Sequence, residues 1–309
     1  MDLVPNPFTN RGVITSPDDF FGREGQITEI VTRLRSMQSS SVVGERRIGK
    51  SSLLYHLAQT GAQRLDDLNY RFFYLDLQDA HFHTAVGFFR FTLRKLGLAD
   101  GAIKDDGAFN NNLIAFTDQI EAIEQEGRRV VLCLDEFENT FKHRDEFTED
   151  FFDHMRAQLN AGKMAFVTST TRELQTLSLE GKLTSPFYNV FTVVELKEFT
   201  EEEAHEFLAA HDQRVGFSDA ELMFIFSQRE THPLKLQILC EWVMKNRRRG
   251  LDEHNLAKEI SREYGRFRVG KFDPKRLLKA KRVLSLDNIK KLLETFKTAR
   301  GIVSGSGKE

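Results

Sequence analysis

The sequence predicts an α/β protein built on a parallel sheet and followed by a smaller helical part. Three observations predict it. Short β-rich runs alternate with amphipathic helical stripes up to residue 196, a glycine loop follows the first run, and beyond residue 196 only helix signals occur. The chain has 309 residues, which suits one large domain and a smaller one. Its 40% hydrophobic and 29% charged residues exclude disordered and fibrous classes.

Residues 24 to 37 place Ile27, Ile30, Val31, Leu34 and Met37 at helical spacing, and the polar run Gln38-Ser39-Ser40-Ser41 reads as the turn that ends this helix. Strands are expected at 41–43, 71–77, 130–134, 164–169 and 190–196. Between them lie three stripes: Val86, Phe89, Leu93 and Leu96; Leu113, Phe116, Ile120 and Ile123, closed by Gly127; and Phe147, Phe151, Met155 and Leu159. Thr200 with Glu203 and Ser218 with Glu221 have capping-box spacing, and Pro233 suits the first turn of a further helix. Helices at 252–264 and 286–299, separated by 266–274, precede a Gly/Ser-rich end. The expected organisation is a core over 1–196, a helical lid over 197–249 and a basic helical tail over 250–309.

The net charge of −2 conceals an asymmetry. Residues 245–309 hold 19 Lys and Arg against 8 Asp and Glu, a net of +11, and residues 1–244 hold 25 against 38, a net of −13. No run reaches the roughly 18 to 20 apolar residues of a membrane helix, and the first residues do not read as a signal peptide. Cys133 and Cys240 lie far apart in apolar stretches, as buried thiols of a reducing compartment do. A soluble, cytoplasmic protein without membrane contact is expected.

The strongest motif is Gly44-Glu45-Arg46-Arg47-Ile48-Gly49-Lys50-Ser51, a full G-x-x-x-x-G-K-[ST] between a strand and a helix. Its glycines let the backbone curl so that N–H groups point at phosphate oxygens, and the helix start adds positive potential. Arg46, Arg47, Ile48, Gly49 and Ser52 complete the expected cradle, Lys50 reaches the β- and γ-phosphates, and Ser51 is a ligand for Mg²⁺. The run Val130 to Glu136 supplies a second carboxylate at a strand tip: Asp135 for the metal and Glu136 to polarise the attacking water. Glu138 competes for the base role. No N-K-x-D segment for guanine occurs, so ATP or ADP is the expected nucleotide. The polar tip Thr168-Ser169-Thr170-Thr171-Arg172 offers hydroxyls and an arginine for sensing the γ-phosphate.

These segments, with Phe20-Phe21-Gly22-Arg23-Glu24, Ser185-Pro186-Phe187-Tyr188-Asn189 and His232-Pro233, resemble the STAND-type ATPases, AAA+-related signal-transducing P-loop NTPases. The resemblance covers about residues 6–248. It implies a sheet ordered 5-1-4-3-2 with a helical lid, and an ADP-held state that switches, often by forming a homo-oligomer, when ATP binds. By position it implies that Gly22 and Arg23 lie near adenine and ribose, that Arg172 contacts the γ-phosphate, and that Pro233 packs against the base. Thr231 stands where the family usually has glycine. A winged helix and repeat sensor do not fit in the last 60 or so residues, so either a separate protein partner is expected as sensor or effector, or the chain is a fragment.

Two readings of the whole chain compete with the switch. One is a DNA-handling AAA+-like ATPase of the initiator or transposition-helper sort, gripping nucleic acid through 245–309. The other is a nucleotide-bound scaffold with negligible turnover. Asp76, Asp79, His81 and His83 read as a solvated turn, and Phe88, Phe89, Phe91 and Trp242 as packing residues.

Overall fold

The computed structural model describes residues 6–247, 253–267 and 269. The chain divides into two units, one of Val13–Lys197 and one that joins the N-terminal residues up to Gly12 to the residues from Glu198 on.

The first unit carries five parallel strands, β1 (Ser39–Val43), β2 (Tyr70–Asp76), β3 (Arg129–Asp135), β4 (Met164–Thr170) and β5 (Phe191–Glu195), in the order β2-β3-β4-β1-β5. This is the order 5-1-4-3-2 seen from the other edge, and it confirms the α/β P-loop fold. Helices α1 (Glu24–Leu34), α2 (Lys50–Leu65), α3 (Ala85–Lys95), α4 (Phe109–Gln125), α5 (Glu138–Lys142), α6 (Glu149–Asn160) and α7 (Leu174–Glu180) connect the strands. The period-2 geometry of β3 sorts its side chains between two cores. Val130, Leu132 and Leu134 join Phe88, Phe89, Phe116 and Phe151, while Val131 and Cys133 join Ile27, Ile30, Leu53, Leu54 and Leu57. Each fully buried phenylalanine stabilises this layer by about 1.5–3 kcal/mol. Phe88 and Phe89 are therefore packing residues, and Arg90 and Arg94 beside them pair with Asp100 and Asp105.

One local expectation is corrected. Ser39, Ser40 and Ser41 do not form a turn; they are buried in β1, with Ser40 opposite Val167 and Ser41 opposite Thr168. Pairing on both sides, to β4 and β5, outweighs the turn preference of serine, and the Ser39 hydroxyl accepts the Phe166 N–H at 3.0 Å. Gly127 ends α4 with φ 77°, as the sequence implies.

The second unit contains α8 (Glu201–Val215), α9 (Asp219–Ser227), α10 (Pro233–Asn246) and α11 (Glu253–Phe267). Both expected capping boxes form, Thr200 with Glu203 and Ser218 with Glu221. Pro233 is the first residue of α10 and His232 its cap, the ring nitrogen accepting the Lys235 N–H at 3.4 Å. Phe8 is fully buried among Phe207, His211 and Phe217. Trp242 is half-buried rather than core, with Lys245 over its ring. The helix expected at 286–299, the 266–274 connection beyond Val269, the Gly/Ser end and most of the basic tail lie outside the described residues. No helix among the described residues is long and apolar enough to cross a membrane.

Candidate nucleotide site

The loop Gly44–Gly49 leaves the C-terminal end of β1, where Gly44 N–H bonds to the Thr170 carbonyl at 3.3 Å, and enters α2 directly. Arg47 and Gly49 both adopt positive φ, 68° and 106°, which turns successive backbone N–H groups to one side. A Cβ on Gly44 would stand 2.6 Å from the Leu196 carbonyl oxygen, so only glycine fits there. Ile48 is buried and pins the loop to the core, whereas Glu45, Arg46 and Arg47 are exposed. No side chain caps the N-terminus of α2. Its first N–H groups thus face the loop with the positive end of the helix dipole, the local chemistry that takes an anion.

Lys50 is buried at the start of α2 and folds its ammonium back onto the carbonyls of Gly44 at 2.8 Å and Glu45 at 3.0 Å. Burial lowers its pKa, while Glu138, Glu136 and Asp135 act in the opposite direction. Ser51 is half-buried beside it. The next residue, Ser52, is buried, and its hydroxyl accepts the N–H of Ile14 at 3.0 Å. One turn further along α2, His56 stacks on Phe20 with ring centroids 4.3 Å apart. The segment leading to Gly22 and Arg23 is thus laid along α2. Gly22 and Arg23 both have positive φ, and the buried Arg23 guanidinium donates to the Ile48 carbonyl at 3.2 Å. Arg23 is therefore tied to the phosphate loop at Ile48.

Asp135 ends β3 and is held from both neighbouring strands. The Tyr74 hydroxyl on β2 donates to Oδ2 at 2.8 Å, and the Ser169 hydroxyl on β4 donates to Oδ1. Each oxygen keeps acceptor capacity for a further partner. Burial and Asp135 push the Tyr74 hydroxyl pKa up, so it stays a donor at neutral pH. Glu136 follows with φ 53°, its N–H on Ser169 Oγ at 3.1 Å. Burial, then Glu138 and Asp135, raise the pKa of Glu136, and a hydrogen bond from Gln78 opposes them. Glu138 opens α5, nine-tenths buried, with Oε1 accepting from the Thr171 N–H at 3.2 Å and the Thr171 hydroxyl at 3.1 Å.

Arg172, just past β4, is half-exposed and pairs with Glu180 of α7 at 2.6 Å. Pro233 belongs to the second unit, at the start of α10. Among the expected site residues, the structure gathers the loop, Lys50, Asp135 and Glu136 at the C-terminal ends of β1 and β3. Tyr74 and Ser169 are supports of Asp135 that the sequence does not single out. Their signal was available only as position: each stands near the tip of a strand adjoining β3. Oxygen donors such as the Ser51 hydroxyl and the Asp135 carboxylate suit a hard divalent cation.

The turn after β2 is accounted for by its own bonds. Asp79 caps it through the His81 N–H at 3.0 Å and pairs with the His81 ring at 2.7 Å.

A family model described as novel STAND NTPase 2 matches residues 30–246. No curated protein matches the sequence. Among solved structures, the Aeropyrum pernix ORC2 protein in ADPNP-ADP complexes is similar with a TM-score of 0.60 and 14% identity, over 82% of this chain and 70% of that one. A Walker-type ATPase of Pyrococcus abyssi gives 0.56 and 15% identity, over 92% of this chain and 93% of that one. The Aeropyrum pernix ORC1 protein in complex with DNA gives 0.54 and 15% identity, over 80% of this chain and 67% of that one. At these identities the likeness is one of fold.

Proposed function

The chain belongs to the novel STAND NTPase 2 family, and from that premise we propose that it is an ATP-driven switch that hydrolyses ATP slowly and controls a separate protein partner. The observation that carries this reading is the placement of the uncapped α2 start and the buried Lys50 ammonium after β1, and of the Asp135-Glu136 pair at the end of β3, on either side of β4. In this reading the N–H groups of 46–52 and the Lys50 ammonium bind the β- and γ-phosphates of ATP. Ser51 and Asp135 hold Mg²⁺, whose charge would offset that developing on the phosphoryl oxygens. Tyr74 and Ser169 fix the Asp135 carboxylate, and Glu136 takes the proton of the attacking water. Gly22 and Arg23 line the adenine side, and Arg172 leaves Glu180 to contact the γ-phosphate. Pro233 is assigned to the base on the resemblance alone. Differing affinities of two conformations for ATP and ADP drive the change, with assembly of like chains as one output. Two free, buried thiols, Cys133 and Cys240, fit a cytoplasmic protein.

The raised pKa of Glu136 has a consequence for turnover. The base is the ionised form, so activity is lost as pH falls through a pKa above the ordinary glutamate value of 4.5. Glu138 contributes to that rise. The acid limb of kcat is therefore expected at higher pH in the wild type than in a Glu138→Gln variant, a comparison in which titration of the nucleotide cancels. Coincident limbs would contradict the coupling of Glu138 to the group that sets the limb.

A second reading, ATP hydrolysis coupled to DNA, draws on the +11 charge of residues 245–309 and on the likeness of fold to the ORC1 protein in complex with DNA. Within the described residues the arginines of this segment are engaged locally. Arg247 bonds to Glu221 at 2.8 Å and to the Val215 and Gly216 carbonyls, Arg262 pairs with Glu259, and Arg266 with Glu263. The switch account expects turnover and mass by light scattering to be indifferent to duplex DNA at about 50 and 200 mM salt, the range over which phosphate contacts weaken steeply. Stimulation by DNA that collapses at the higher salt would favour the second reading.

A further inference from the structure

Glu138 is a buried carboxylate that the proposed chemistry leaves without a task. Its Oε1 is fully engaged by Thr171, through both the N–H and the hydroxyl, at 3.2 and 3.1 Å. Its Oε2 is buried and has no hydrogen-bond partner. An unpaired, buried carboxylate oxygen is costly unless a positive charge lies within reach. Two cations answer to it. Among the carboxylates that act on Lys50, Glu138 acts most strongly, and after Glu180 it also acts on Arg172. Glu138 is thus bonded to Thr171, which lies between Thr170, whose carbonyl accepts the Gly44 N–H of the phosphate loop at 3.3 Å, and Arg172.

We propose that Glu138 is a positioning residue that reads the γ-phosphate: its carboxylate, tethered to Thr171 by two hydrogen bonds, meets the added negative charge at Lys50 and passes the displacement to Thr171 and Arg172. The inference rests on the nucleotide-site reading above and assigns the means by which ATP is told from ADP. With ADP, Lys50 continues to offset the Glu138 charge. With ATP, the terminal phosphate takes the ammonium, and Glu138 faces a like charge that only movement on Thr171 relieves. Arg172, next in the chain, is thereby released from Glu180 toward the phosphate. Glu136 remains the base, and Glu138 acts through Thr171 and Arg172 without touching the water.

The test measures Mg²⁺-dependent binding of fluorescent N-methylanthraniloyl ATP and ADP by the full chain, its Glu138→Gln and Thr171→Val variants and the double variant. Gln keeps an oxygen for Thr171 and removes only the charge. Val at 171, on the half-buried strand tip, removes the hydroxyl bond and keeps the backbone one, so the two variants disturb folding in different ways. Each single change is expected to lower the ratio of the ATP to the ADP dissociation constant by about tenfold, within the usual size of coupling between sites. The double variant is expected to shift it no further than Glu138→Gln alone, because both act on one relay. Equal changes in ATP and ADP affinity, or additive shifts in the double variant, would overturn the relay and leave the nucleotide site standing. A wild-type chain that binds neither nucleotide would overturn both.

Discussion

Replacing Lys50 by Ala is expected to weaken Mg-ATP binding by about 100-fold or more while leaving the fold in place, because charge-assisted hydrogen bonds to phosphate contribute about 1.5–3 kcal/mol each and in the proposed complex this ammonium would make two or more. Among the described residues, no other ammonium or guanidinium is buried at the start of α2. Arg46 and Arg47 are exposed on the loop, and Arg23 is committed to the Ile48 carbonyl. The folded chain loses little by the change. Among the described residues Lys50 bonds to the carbonyls of Gly44 and Glu45, which belong to the loop itself, and burial of its charge already opposes ionisation. Calorimetric titration gives the affinity and thermal unfolding controls for the fold. An affinity within threefold of wild type would remove Lys50 from the site.

Glu136→Gln is expected to separate binding from turnover. General-base catalysis contributes about 10²–10⁴ in rate, so kcat should fall by at least about 100-fold while affinity for Mg-ATP is kept. The side chain is isosteric, the backbone at φ 53° is unchanged, and the hydrogen bond with Gln78 has an amide equivalent. Asp135 retains both of its supports, Tyr74 and Ser169. The variant should accumulate with ATP bound, observable as unhydrolysed nucleotide extracted after single-turnover incubation. A scaffold with negligible turnover would show no difference from wild type, and a loss confined to affinity would assign Glu136 to binding.

The parts of the fold that were legible in the sequence are those set by local rules. The capping boxes at Thr200 and Ser218, the proline at the start of α10 and the glycine after α4 each act within a few residues, and all four occur. The glycine loop was legible because its backbone demands appear as residue types, Gly44 for space and Gly49 for positive φ. What escaped depends on strands that meet only in the folded chain. Ser39 to Ser41 carry turn chemistry, yet ladders to β4 and β5 make them a central strand. Tyr74 is 61 residues from Asp135 and Ser169 is 34, so no spacing rule joins them. Thr171 belongs to a polar tip in the sequence, but its bond to Glu138 follows from β3 and β4 being neighbours. Arg172 was expected at a phosphate, and here its partner is Glu180, eight residues on in the chain.

The central claim is that bound ATP and bound ADP hold the chain in different states. Hydrogen–deuterium exchange of the Glu136→Gln chain with Mg-ATP, compared with the same chain and Mg-ADP, tests it most directly, since trapped ATP allows both states to be sampled at equilibrium. The account predicts exchange that differs between the two nucleotides at the β4 tip and α7, residues 170–180, and in the helices from 201 to 246. Superimposable exchange in both regions, with both nucleotides bound at saturation, would contradict it.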